Sequence, residues 1–120
     1  MPWKQLVGTR GETRVREWLA KKGFRLINLN WNCSYGEIDI IASFFDQLHI
    51  ISVATKESSG TKLPAEGMTR KKMLCCKQAA QKYVERYPRW KNIIFDILAI
   101  DHLVEEEPKD IMLIEDVKML

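Results

Sequence analysis

Hydrophobic positions recur along the chain in two spacings, one typical of helices and one typical of strands. Val15, Trp18 and Leu19 stand three and four residues apart, which predicts a helix over 9–22 that ends before Gly23. A second helix is predicted over 69–87, with Pro88 ending it. Its apolar stripe consists of Met73, Cys76, Ala80, Tyr83 and Tyr87.

Shorter apolar runs predict the strands. They lie at 24–30, 37–42, 48–56 and 92–100, with a final edge strand at 111–114. The first strand is expected to break in the polar stretch 30–34, and the short segment 43–47 predicts a hairpin. Residues 57–68 and 105–110 are expected to be a loop and an acidic turn. The order α-β-β-β-α-β, with one further strand, predicts an α/β fold with a mixed central sheet flanked by helices.

Length and composition limit the class of protein. A chain of 120 residues that is 46% hydrophobic suits one globular domain over 1–120, with a core at about 8–101 and an acidic extension at 102–120. No apolar run approaches the roughly 20 residues of a membrane helix, and no signal peptide is recognised, so a cytoplasmic protein without membrane contact is expected. Three cysteines without C-x-x-C spacing fit neither a disulfide framework nor a zinc site.

Charge is distributed unevenly along the chain. Residues 1–91 carry 17 Lys and Arg against 8 Asp and Glu, a net +9, whereas residues 92–120 carry 2 against 8, a net −6. The second predicted helix and its flank, 70–91, contain eight basic residues opposed only by Glu85. Such a surplus favours phosphate contacts with DNA or RNA over a helix face that is merely solvated. The residues expected to make these contacts are Arg70, Lys71, Lys72 and Lys77.

A carboxylate interrupts the second predicted strand. In Gly36-Glu-Ile-Asp39, the Asp39 side chain lies between isoleucines, a costly position unless the carboxylate is paired or binds a metal. Lys56 ends the next strand and would approach Asp39 if the two strands pair. There it could stabilise developing phosphate charge. The alternative interpretation is a strand-end ion pair at Asp39 and a solvated lysine at position 56.

Several segments together resemble one family. They are Gly8-Thr-Arg-Gly-Glu12, Leu19-Ala-Lys-Lys-Gly-Phe24, Asn30-Trp31, Gly36-Glu-Ile-Asp-Ile-Ile-Ala42, Lys56, Pro64-Ala-Glu66, Thr69-Arg-Lys-Lys72 and Phe95-Asp96. This set, spanning about 8–101, is similar to the YraN family of small, mostly uncharacterised bacterial proteins. The resemblance implies the restriction-endonuclease-like, or PD-(D/E)xK, fold. In nucleases of that fold a helix glutamate, a strand aspartate and a Glu-x-Lys motif bind a divalent metal and activate water.

Carried over to this chain, the resemblance places the catalytic set on Glu12, Asp39 and Lys56, with Glu12 and Asp39 as metal ligands. A capping box in Thr9-Arg-Gly-Glu12 is a competing explanation for Glu12. The glutamate of Glu-x-Lys falls on Ala54, so one carboxylate is missing. Binding of Mg²⁺ is therefore expected to be weak or absent.

Three functions remain open from the sequence. The favoured one is a nucleic-acid-binding protein of the nuclease-like fold whose hydrolysis is weak or lost. The second is an active Mg²⁺-dependent endonuclease or resolvase-like phosphodiesterase, which would use a migrated carboxylate such as Glu37, or Glu57 at a strand bulge. The third is a protein-interaction module that docks a partner through its acidic end or edge strand.

Overall fold

Two helices and five strands form the structure, a computed structural model that describes residues 3–57, 70–102 and 111–117. In chain order the elements are α1 (Trp3–Lys21), β1 (Arg25–Cys33), β2 (Gly36–Phe44), β3 (Gln47–Glu57), α2 (Arg70–Arg86), β4 (Asn92–His102) and β5 (Ile111–Ile114). The predicted α-β-β-β-α-β order and the final strand are confirmed. The loop expected up to residue 68, the predicted start of the second helix at residue 69 and the acidic turn at 105–110 lie outside the described residues.

The strands form one mixed sheet in the order β1-β2-β3-β4-β5. β3 and β4 run parallel, and the other neighbouring pairs are antiparallel. Parallel neighbours need a crossover connection, and α2 provides it between β3 and β4. The predicted hairpin joins β2 to β3, where Phe44 pairs with Gln47.

Each helix packs on a different face of the sheet. Val15 and Leu19 of α1 join a buried cluster with residues such as Ile40, Ile51 and Leu98. On the other face, α2 contributes buried side chains to a second cluster with Ile38, Ile41, Leu48 and Ile50. The adjacent pair Ile40 and Ile41 therefore lies on opposite faces, as expected for a strand that is buried on both sides.

A buried histidine–aspartate pair lies on the α1 face. His49 of β3 and Asp96 of β4 place Nδ1 and Oδ2 2.5 Å apart, and their side chains are only 5% and 0% exposed. The second carboxylate oxygen of Asp96 accepts a hydrogen bond from the backbone N–H of Asp116, just beyond β5. Asp96 therefore links β3, β4 and the segment after β5.

The structure adds one helical segment and corrects two sequence predictions. The first residues of α1, from Trp3, form a segment that the sequence did not predict, and the non-helical Gly8, with φ 70°, separates it from the predicted helix that starts at Thr9. Trp3 is buried. β1 continues through the stretch where a break was expected, and Asn30 takes up the irregularity with φ 53°. Tyr87, assigned to the apolar stripe of α2, is 41% exposed because the helix ends one residue before it.

Neither helix in the described part of the chain is long and apolar enough to cross a membrane.

Candidate nucleic-acid interface

Asp39 lies where the backbone pairing of β2 and β3 ends. The two strands pair from Phe44 and Gln47 to Ile40 and Ile51, and at the next residue a side chain replaces the backbone. Asp39 Oδ2 accepts a hydrogen bond from the backbone N–H of Val53 at 2.8 Å. The carboxylate thus satisfies a strand donor that the ladder leaves unpaired.

The strand also changes faces at this point. Ile38 packs in the α2-side cluster and Ile40 in the α1-side cluster, although residues two apart on a regular strand share a face. Asp39 occupies the irregular position between them. This irregularity explains how a carboxylate is accommodated between two fully buried isoleucines.

Burial and a nearby lysine act in opposite directions on Asp39. Burial raises the pKa of this carboxyl above its ordinary value, and the Val53 hydrogen bond and the positive charge of Lys72 partly offset that rise. Lys72 stands in the first turn of α2 and is exposed. The first turn of the basic helix therefore lies within electrostatic reach of the strand carboxylate.

Ser52 and Cys76 line the same part of the α2 face. Ser52 Oγ lies 3.6 Å from Cys76 Sγ, and both side chains are buried. Burial is the largest influence on the Cys76 thiol and raises its pKa, and the neighbouring Asp39 carboxylate adds to the rise. Cys76 is therefore held as a protonated thiol, which packs as a small apolar group rather than acting as a nucleophile.

The side chain at position 54 belongs to the same α2-facing part of the sheet as Ser52. Side chains alternate along β3, so Ala54 shares the α2 face with Ser52, and Ala54 is partly exposed there. Its neighbour Val53 donates the hydrogen bond to Asp39. A carboxylate at position 54 would therefore stand beside Asp39. Lys56 lies two residues further along β3, where its backbone pairs with Asp101; its side chain lies outside the described part of the structure.

Glu12 lies on α1, whose buried residues pack on the other face of the sheet from those of α2. Its Oε1 accepts a hydrogen bond from Arg16 Nη2 at 3.2 Å. Glu12 thus has a basic partner on its own helix, one turn away.

The donor set does not fit a tightly held divalent cation. Mg²⁺ requires several hard oxygen ligands, whereas Asp39 commits one oxygen to Val53 and Ala54 supplies none. Within the residues that the structure describes, no group of three or more His, Cys, Asp or Glu side chains is arranged to hold a metal ion.

The predicted phosphate-binding residues lie on two sides of α2. At about 100° per residue, Lys77 lies about 120° around the helix axis from Lys71 and about 140° from Lys72. Lys77 lines a groove with Ile93 and Phe95 of β4, on the side away from the β1–β2 hairpin. Arg70 begins the helix, and its side chain is not described. The structure therefore separates Lys77 from Lys71 and Lys72.

Two further basic residues lie on the same side of α2 as Lys71. Lys82 and Arg86 follow it at 11 and 15 residues, about three and four turns along the helix. Lys82 Nζ stands 5.5 Å from the centre of the Tyr35 ring in the β1–β2 turn, which fixes the direction of this side. We call Lys71, Lys72, Lys82 and Arg86 the basic flank of α2. The count of basic residues over 70–91 included all four. Only their angular positions around the helix axis separate them from Lys77.

Comparison with known proteins assigns the chain to a family. The model of the uncharacterised protein family UPF0102 matches residues 11–100, which run from within α1 to near the end of β4. The chain belongs to the UPF0102 family. A UPF0102 protein of Caldicellulosiruptor saccharolyticus is 32% identical over 115 residues, covering 94% of this chain and 97% of that protein. One from Dictyoglomus thermophilum is 36% identical over 95 residues, covering 78% and 80%.

Family membership confirms the resemblance to YraN that the sequence motifs indicated. The matched region begins at Gly11 and ends at Ile100, so it contains Glu12, Asp39, Ala54 and the whole of α2. A UPF0102 protein of Rhodococcus opacus is also similar, with 33% identity over 95 residues that cover 78% of this chain and 80% of the relative.

Proposed function

We propose that this protein binds DNA or RNA, without strong sequence preference, along the basic flank of α2, and that it hydrolyses the bound strand weakly or not at all. The proposal retains the nuclease-like fold that the YraN resemblance implies. Lys71 and Lys72 remain the principal phosphate contacts, Arg70 and Lys77 are additional candidates, and Lys82 and Arg86 extend the surface.

One observation carries the proposal: the first turn of α2 lies close enough to Asp39 for the charge of Lys72 to lower the pKa of that carboxyl. This proximity supports one continuous surface formed by the cationic helix and the strand carboxylate. A phosphate next to Lys72 would also lie near position 54, where a nuclease of this fold carries its second strand carboxylate. Exposed lysines along such a surface contact phosphates without reading base edges.

Weak hydrolysis follows from the ligands around Asp39. The Ala54 side chain has no oxygen, and Glu12 accepts a hydrogen bond from Arg16 on α1. With one strand carboxylate, a Mg²⁺ ion bridging protein and phosphate would be held too weakly to activate water efficiently. The surface retains what binding requires and lacks one group that cleavage requires.

Salt dependence tests this function directly. We expect fluorescence anisotropy with a generic DNA duplex to show log K falling linearly with log salt between roughly 50 and 200 mM, because bound lysines release counterions. The Lys71→Gln/Lys72→Gln variant should weaken binding to every sequence by at least about tenfold and lower the slope by roughly 2, near 0.9 per lost phosphate contact.

The matched control removes the same charge from the other helix. Arg14 and Lys21 are exposed on α1, so Arg14→Gln/Lys21→Gln should leave both affinity and slope close to those of the unmodified protein. An affinity independent of salt, or equal losses in the two double variants, would contradict the assignment of binding to the basic flank.

A further inference from the structure

A second surface lies beyond the C-terminal end of the basic flank. A cavity of about 670 Å³ opens between the end of α2, the turn that follows it and the first half of β1. Its walls include Arg25, Asn28, Phe45, Tyr87, Arg89 and Trp90. Within the described residues no carboxylate lines this cavity, so its charge is positive.

Aromatic rings and guanidinium groups are combined in this cavity. Tyr87 is 41% exposed and Phe45 is 87% exposed, so both rings are accessible to a ligand. The Arg89 guanidinium carbon lies 4.5 Å from the centre of the Trp90 ring, and that of Arg86 lies 5.8 Å from the centre of the Tyr87 ring. In the part of the chain that the structure describes, neither Arg25 nor Arg89 forms a salt bridge.

Local backbone irregularities account for the open shape. The β1–β2 register shifts between Leu26 and Asn28, which leaves Ile27 as an extra residue in the edge strand. Phe45, in the β2–β3 turn, has φ 56°, and its ring projects into solvent. Asn28 adds an amide that can donate and accept hydrogen bonds at the cavity wall.

We propose that this cavity binds one unpaired nucleotide of a strand whose phosphates follow the basic flank, with its base stacked on Tyr87 and its phosphate held by Arg25 and Arg89. This inference rests on the proposed function and specifies its substrate as a single strand, or a duplex with an unpaired segment. The flat face of a base inside a duplex is covered by its neighbours, so only an unpaired base can stack on Tyr87. Arg86 connects the two surfaces, because it belongs to the flank and also contacts the Tyr87 ring.

The test compares a single strand of about 12 nucleotides with a duplex of the same length. Tyr87→Leu removes the aromatic face and keeps an apolar side chain, whereas Tyr87→Phe keeps the face. We expect Tyr87→Leu to weaken single-strand binding about tenfold, as loss of one stacked base predicts, and to change duplex binding less than twofold. Tyr87→Phe should bind the single strand as the unmodified protein does.

The outcomes separate this proposal from the one on which it rests. Salt-dependent duplex binding that Lys71→Gln/Lys72→Gln weakens, with single-strand affinity unchanged in Tyr87→Leu, would overturn the nucleotide site and leave the proposed function standing. Absence of binding to both nucleic acids would overturn both proposals.

A last experiment uses adenosine monophosphate to test whether the cavity binds a free nucleotide. If it bound as tightly as the single strand and lost its binding in Tyr87→Leu, the ligand would be a free nucleotide, and the proposal of a bound strand would be wrong. We expect its affinity to be far lower than that of the strand, because it cannot reach the basic flank.

Discussion

Two aspartates interrupt buried strands of the same sheet, and they differ in how their own chain satisfies them. Asp96, on the α1 face, is fully buried, contacts His49 through one oxygen and accepts the Asp116 N–H through the other. Within the described residues, Asp39 accepts one hydrogen bond, from Val53, and its pKa is also influenced by an exposed lysine on α2. Among those residues, Asp96 has both carboxylate oxygens engaged, whereas Asp39 has one engaged.

The two faces of the sheet differ in the same way. The α1 face has the buried His49–Asp96 pair and an apolar cluster that includes Val15, Leu19 and Leu98. The α2 face combines an apolar cluster with Asp39 at its margin, the basic flank and the aromatic cavity. Burial of a charged residue in a strand therefore does not by itself indicate function. The groups that contact that residue distinguish a structural role from a functional one.

We expect the largest difference between Asp96 and Asp39 in how much folding stability is lost when each is replaced. Asp96→Ala removes the partner of the buried His49 side chain and of the Asp116 N–H and should lower the free energy of unfolding by about 2–5 kcal/mol, because each polar group left unpaired costs about 1–3 kcal/mol. Asp39→Ala leaves one backbone donor in a partly exposed position and should lower it by about 1 kcal/mol. Urea denaturation followed by circular dichroism measures both.

Should Asp96→Ala not fold, Asp96→Asn serves as the second variant, compared with Asp39→Asn. We expect Asp96→Asn to lower the free energy of unfolding more than Asp39→Asn does. Equal losses at the two positions would contradict the distinction between them.

The pH dependence of stability gives a smaller effect that is specific to Asp39. Because burial raises its pKa in the folded state, the folded protein holds this proton more tightly than the unfolded chain. As pH rises from the ordinary aspartate pKa to the raised one, this position ionises in the unfolded chain before it ionises in the folded protein. The Asp39 contribution to the free energy of unfolding therefore falls across this pH range and stays lower at higher pH.

Asp39→Asn removes this contribution and keeps an oxygen to accept the Val53 N–H. The stability of the variant minus that of the unmodified protein should therefore increase with pH across that window. Chemical denaturation at a series of pH values measures the difference, and a difference that is flat or decreases with pH would refute the assignment.

The sequence predicted the element order and the presence of a basic helix beside a strand carboxylate. Local periodicity was sufficient for this, since apolar spacing in α1 and in the strands reflects which face each element buries. The extra helical segment around Trp3 escaped prediction because Gly8, which has a left-handed φ, reads as a helix boundary in sequence.

The grouping of site residues depended on tertiary geometry. Charge counting could not distinguish Lys77 from Lys71, because the distinction depends on which side of α2 faces the β1–β2 hairpin. The proximity of Ser52 and Cys76 requires the packing of α2 on β3, and the Asp39–Val53 hydrogen bond requires the strands to separate at that residue. The aromatic cavity joins the end of α2 to a strand some 60 residues earlier, which no local pattern reveals.

We propose that the surface around Asp39 is a nuclease-type site that retains phosphate binding and lacks one carboxylate at position 54. Calorimetric titration with Mn²⁺ or Mg²⁺, paired with a nucleic-acid cleavage assay, tests it most directly. Ala54→Glu should bind the cation at least about tenfold more tightly than the unmodified protein, because it adds a charged oxygen ligand beside Asp39. Ala54→Gln is the matched control for size, and Asp39→Asn in the Ala54→Glu background should abolish the gain. We expect detectable cleavage only in Ala54→Glu; cleavage by the unmodified protein at an equal rate would contradict the claim and favour a migrated carboxylate.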